Sequence, residues 1–146
     1  MSLKKLALAS AIASLLASSP AHAGWRDLPW NTPISKAKSL YPSAQEGDVD
    51  GMKVLRLSNY EFAGFKWPTV SFVFAGGKLT KVVLFSNADP RPIIATLQSQ
   101  LGSPARTSQI GVSETVFRDP AKKNTVVVQS GYVGTLVTYQ PLGEGF

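Results

Sequence analysis

The chain of 146 residues has no cysteine and a single histidine, His22. Without cysteine there is no disulfide, no thiol nucleophile and no CxxC redox pair. The one histidine lies in a stretch expected to be removed. The remaining chain then has no Ser-His-Asp triad and no ordinary zinc site. A membrane-spanning run is also missing. The longest apolar stretch, Leu6 to Ala17, has 12 residues, whereas a spanning helix needs roughly 20.

Met1 to Ala23 reads as a secretory leader. Lys4 and Lys5 precede the apolar stretch, and Ala21-His22-Ala23 supplies an A-x-A cleavage site. Removal takes both lysines, so 15 basic and nine acidic residues become 13 and nine, a net +4. The expectation is one periplasmic or secreted α+β domain, residues 24–146, with no membrane span after cleavage; an uncleaved membrane anchor is the alternative. No cysteine stands at the cleavage site to carry a lipid, and a disulfide-free chain suits an exported protein that needs no oxidative folding. The basic residues are scattered, not gathered into the stripe of a nucleic-acid module, so no nucleic-acid partner is expected.

Two short helices are expected. Thr32-Pro33 reads as an N-cap followed by proline at the first helical position, with Ile34, Ala37 and Tyr41 along one face and Pro42 as the stop. Asp89-Pro90 opens the second in the same way. Its stripe is Ile93, Ile94, Leu97 and Leu101, and Gly102 ends it. Alternation and apolar runs mark seven strands: 52–57, 60–67, 69–75, 78–86, 113–118, 125–129 and 133–140. Gly76-Gly77 and Ser130-Gly131 read as hairpin turns. The fold expectation is α+β, an antiparallel sheet of about seven strands with two short helices on one face.

A repeat is visible on inspection. Phe72 to Leu79 lies against Val126 to Val133 at a shift of 54, and the match runs on without a gap to Val82–Phe85 against Leu136–Tyr139. The chain reads either as a duplicated helix-plus-meander unit, with halves 32–88 and 89–141, or as two unrelated stretches of the same order.

The run Trp30-Asn31-Thr32-Pro33-Ile34 to Tyr41-Pro42, then Phe72-x-Phe74-x-Gly76-Gly77-Lys78-Leu79, then Leu101-Gly102-Ser103-Pro104, resembles small exported bacterial domains. These are of the β-lactamase-inhibitory-protein-like and outer-membrane-assembly lipoprotein types. The resemblance covers roughly residues 30–140 and implies a binding protein, not an enzyme. The chain departs from the lipoprotein type in lacking a lipid-carrying cysteine, and from the inhibitor type in lacking disulfides. No binding residue carries over.

Tyr60-Glu61-Phe62-Ala63-Gly64-Phe65-Lys66-Trp67 is the richest aromatic stretch. On a two-residue period Tyr60 and Phe62 share one face. Phe65 and Trp67 take the other unless Gly64 carries a bulge. One pair is then exposed, or covered by the Trp25–Trp30 segment, unless both pairs are ordinary core. Exposed aromatics are typical anchors for a protein partner, so Tyr60, Phe62, Phe65, Lys66 and Trp67 are the candidate binding residues. Glu46-Gly47-Asp48-Val49-Asp50-Gly51 resembles a calcium loop, but Leu57 stands where its bidentate Glu belongs. A polar surface loop is expected, with no metal and no cofactor. Ser130-Gly131-Tyr132 is faintly similar to the Ser-Gly loop that some periplasmic lysozyme inhibitors present. For acid–base chemistry only Glu61 and Glu114 lie in expected strands. There is no GxSxG, no Ser-x-x-Lys and no phosphate loop.

The functional expectation is a non-catalytic module that binds a protein partner in the cell envelope, including an inhibitor or immunity role toward an envelope enzyme. The alternative is a carrier of a small apolar or lipid-like ligand, which requires an enclosed pocket of roughly 300 Å³ or more.

Overall fold

A computed structural model of the chain describes residues 23–143. The leader reading therefore falls, apart from Ala23, outside the described residues. A two-stranded ribbon, β1 (Gly24–Trp25) and β2 (Leu28–Pro29), leads into helix α1 (Ile34–Leu40). Four strands follow: β3 (Gln45–Val49), β4 (Met52–Phe62), β5 (Phe65–Ala75) and β6 (Lys78–Ser86). Helix α2 (Pro90–Leu101) then precedes four more: β7 (Arg106–Ser108), β8 (Ser113–Asp119), β9 (Asn124–Gly131) and β10 (Gly134–Pro141). All eight of these strands form one antiparallel sheet in the order β3-β4-β5-β6-β10-β9-β8-β7.

The sheet thus has eight strands, with the ribbon beside it, instead of about seven. Both edge strands escape an alternation test. β7 is three residues long, and β3 is the polar run Gln45 to Val49 that reads as a loop. Asp50-Gly51 makes the turn into β4, with Asp50 at φ 51° and Gly51 at φ 79°. These positive angles suit the two-residue hairpin turns that Asp-Gly favours. The expected strand 60–67 is in fact the tip of the β4–β5 hairpin, turned at Ala63-Gly64.

α2 begins as expected. The Asp89 side chain accepts from the Arg91 N–H, with Pro90 at the first turn. The Arg91 side chain, with that N–H, holds the Asp89 carboxyl down to about 2. α1 differs. Pro33 is its cap, and the Thr32 hydroxyl donates to the Pro29 carbonyl at 2.6 Å. The Ile34 N–H is satisfied by the Gly77 carbonyl of the β5–β6 turn at 3.1 Å.

Directly opposed residues share a face, so the pairing lays out the core as cross-strand rows. One runs Leu55–Phe72–Val82–Tyr139–Val126–Phe117, and the next holds Leu57, Val70, Leu84, Val137 and Val128. All of these are buried and join one cluster with Ala37 of α1 and Ile93 and Leu97 of α2. Both helices therefore cover the same face. The sheet equivalents of Val82 and Leu84 are Val137 and Tyr139, not the Leu136 and Thr138 of a gapless match. A register shift between Val73 and Phe74 gives the first hairpin an extra residue, which the second hairpin lacks.

Phe72 is fully buried in the first of these core rows, between Leu55 and Val82. Replacing it with alanine, F72A, should cost about 3–5 kcal/mol, read as a lowered urea midpoint with an unchanged slope.

Candidate functional site

The β4–β5 hairpin carries the residues singled out by sequence, and its geometry differs from the expected two-faced strand. Tyr60 pairs with Trp67, and Phe62 with Phe65. Cross-strand partners share a face, so a turn at Gly64 brings all four aromatics to one side. Asn59 sits at φ 52° between the pairs Ser58–Thr69 and Tyr60–Trp67, opposite Pro68, which has no N–H for the ladder. Alternation slips there on both strands, so Leu57 and Tyr60 both point to the core, as do Val70 and Trp67. Trp67 is buried, and its indole N–H donates to the Phe62 carbonyl at 3.0 Å. Tyr60, Phe62 and Phe65 are half-buried against the core, and Lys66 alone of the five candidates is exposed.

The N-terminal ribbon closes over these rings. Trp25 is 2 % exposed, with its ring 5.0 Å from Phe62 and 5.5 Å from Phe72. Arg26 lies within 6.0 Å of the Trp25, Tyr60 and Phe62 rings and donates to the Tyr60 hydroxyl. Buried Asn124 ties the ribbon down. Its amide donates to the Gly24 carbonyl at 2.8 Å and accepts from the Trp30 indole at 2.8 Å.

The carboxylates do not converge. Glu61 is on β4 and Glu114 on β8, with β5, β6, β10 and β9 between. At about 4.8 Å per strand this is roughly 24 Å, against the 5–9.5 Å of a glycosidase pair. Glu114 is held by Arg106 and by the Gln129 amide, each at 3.2 Å. Of the acidic run, Glu46 pairs with Lys38 at 2.6 Å and Asp48 with Lys53 at 3.0 Å. Among the described residues no three His, Cys, Asp or Glu side chains gather for a metal. Among the described residues, cavities of about 10 and 100 Å³ reach between α2 and the sheet. Larger hollows, of about 540 Å³ beside Trp30, Met52 and Lys81 and about 370 Å³ at the hairpin tip, lie at the sheet ends.

The exposed apolar groups are elsewhere. The turn between β9 and β10 is Tyr132-Val133, not Ser130-Gly131, because Gly131 pairs with Gly134. Tyr132 is fully exposed and Val133 is 78 % exposed. The β7–β8 loop carries Ile110 at 93 % and Val112 at 54 %. Ser113 pairs with Ser130, so loop and turn leave neighbouring strands at the same end, and a Cβ added to Gly131 would lie 3.8 Å from Val112. Of these residues only Tyr132 was singled out by sequence, as the end of Ser130-Gly131-Tyr132. The available signal was large apolar residues hemmed by glycine: Ile110-Gly111-Val112 and Gly131-Tyr132-Val133-Gly134. The sheet face opposite the helices presents half-buried Val83, Phe85, Val127 and Leu136.

Comparison with family models, with curated proteins and with solved structures returned no match.

Burial pushes the Tyr41 and Tyr139 phenols up, with further increments from Tyr60 and Asp119 respectively. A phenol raised in the folded state contributes stability that is full below its ordinary value of 10.0 and is lost as pH rises beyond it. The urea midpoint should fall between about pH 10 and 12. The Tyr41→Phe and Tyr139→Phe variants should each flatten that fall.

Proposed function

We propose that the chain is a non-catalytic module of the cell envelope that binds a protein partner. Its contact surface is the helix-free face of the sheet together with the loops at the adjoining end. The observation that carries this reading is the juxtaposition of Ile110, Val112, Tyr132 and Val133, four exposed apolar side chains on two neighbouring loops. Holding such groups in water costs free energy that a partner would recover, and a tyrosine at a rigid tip is a common anchor. Phe65 and Lys66, at the hairpin tip on the same end of the sheet, extend the contact; Trp67 supports it from the core. An inhibitor or immunity role toward an envelope enzyme suits projecting loops of this kind.

Absence of catalysis is supported by the chemistry on offer. The chain beyond Ala23 has no histidine or cysteine, Glu61 and Glu114 stand five strand steps apart, and Glu46 and Asp48 on β3 are each paired with a lysine. The carrier alternative draws less support: among the described residues the spaces between α2 and the sheet fall below the roughly 300 Å³ of a ligand pocket, and the larger hollows lie at the sheet ends.

The test is affinity capture from envelope extract with the wild type and with an Ile110→Ser, Val112→Ser, Tyr132→Ser, Val133→Ser variant. These positions are exposed, so the variant should melt like the wild type. A specific protein should be held by the wild type and lost roughly tenfold or more by the variant. Equal recovery by both, or a co-purifying small molecule in place of a protein, would overturn the proposal.

A further inference from the structure

We infer that the sheet face opposite the helices docks an acidic protein surface, an inference that rests on the protein-binding reading above and names the partner's chemistry. The pairing registers lay that face out in rows. One row starts at Arg56 on β4, passes through Val83, Val127 and Val116, and ends at Arg106 on β7. Six strand steps at about 4.8 Å separate the two arginines, roughly 29 Å. The adjoining row on one side holds Lys81 and Arg118, and the row on the other pairs Phe85 with Leu136.

The face therefore has an apolar middle and a cationic rim. Its carboxylates among the described residues are Glu114, already engaged by Arg106 and Gln129, and Glu61, which stands directly opposite Lys66 at the hairpin tip. Glu46 and Asp48 lie off this face, sharing the sides of Leu55 and Lys53, and Asp89 caps α2. Five cations, Arg56, Lys66, Lys81, Arg106 and Arg118, thus stand against two carboxylates on this face, a larger basic excess in proportion than the 13 against nine of the chain beyond Ala23. A desolvated apolar centre with charges at the edge is the anatomy of a protein interface. Complementary rim charges set orientation and encounter rate.

The layout argues against a nucleic acid. A phosphate chain needs cations at short intervals along its path, and here the row between the end arginines is filled by Ser71, Thr138 and valines. An acidic protein with an apolar prominence satisfies both parts of the face.

A benzophenone amino acid placed in the full chain at Thr138, mid-face, or at Tyr132, on the loop tip, tests this in envelope extract. Thr138 should cross-link to a protein whose joined surface is net acidic. Binding of that protein, once purified, should weaken about tenfold in the Arg56→Glu/Arg106→Gln variant and also on raising salt from about 50 to 300 mM. Both arginines are surface groups, and melting checks that the variant folds; Arg56→Ala serves if it does not. Cross-linking at Tyr132 but not at Thr138 would overturn the inference and leave the protein-binding reading standing. Cross-linking at neither would overturn both. A neutral or basic partner surface, or unchanged binding by the charge variant, would overturn the inference. So would charge-dependent binding to phosphatidylglycerol vesicles or a DNA duplex in place of a protein.

Discussion

The antiparallel pairing of β6 with β10 is the constraint on which the molecule depends. Each of these strands closes a four-strand meander, and each would otherwise be an edge with a row of unpaired backbone groups. Joined through five opposed pairs, from Thr135–Ser86 to Tyr139–Val82, they convert two small sheets into one of eight strands. The join also sets register across the whole molecule. A slip of one residue there would turn Val137 and Tyr139 out of the core and Leu136 and Thr138 into it.

Continuity across that join creates two faces of different character. On one, the core rows run unbroken from Leu55 to Phe117, so a single apolar layer accepts both helices and the N-terminal ribbon. On the other, short rows from each half merge into long ones that neither half could present alone. Arg56 and Arg106 belong to opposite ends of the chain's two meanders, and only the central pairing puts them on one surface. The binding role proposed here is a property of the assembled sheet, not of either hairpin set.

Much of the fold was legible locally. The Asp89-Pro90 start, the Ile93–Leu101 stripe and the Gly102 stop are local signals, and the structure obeys them because the capping bonds they specify span only a few residues. The β5–β6 hairpin followed from alternation and Gly76-Gly77 in the same way. β3 was missed because its side chains are polar and exposed; its pairing is backbone chemistry, announced only by Asp50-Gly51. The aromatic stretch was read as one strand because Gly64 allows both a bulge and a turn; of the readings left open, the structure takes the one in which both pairs pack on the core. The choice was made by Trp25 and the Asn59 slip, which give all four rings a common core.

Composition and short-range pattern by themselves determined the helices, the interior strands, the α+β antiparallel class and the lack of thiol and imidazole groups beyond Ala23. Those depend on residue identity and on bonds between near neighbours. Tertiary structure alone decided which aromatics are buried, which glycine-flanked residues project, and which charges share a face. These follow from strand order and register, where residues far apart in the chain meet, and a one-residue shift reverses the side on which every group in a strand appears.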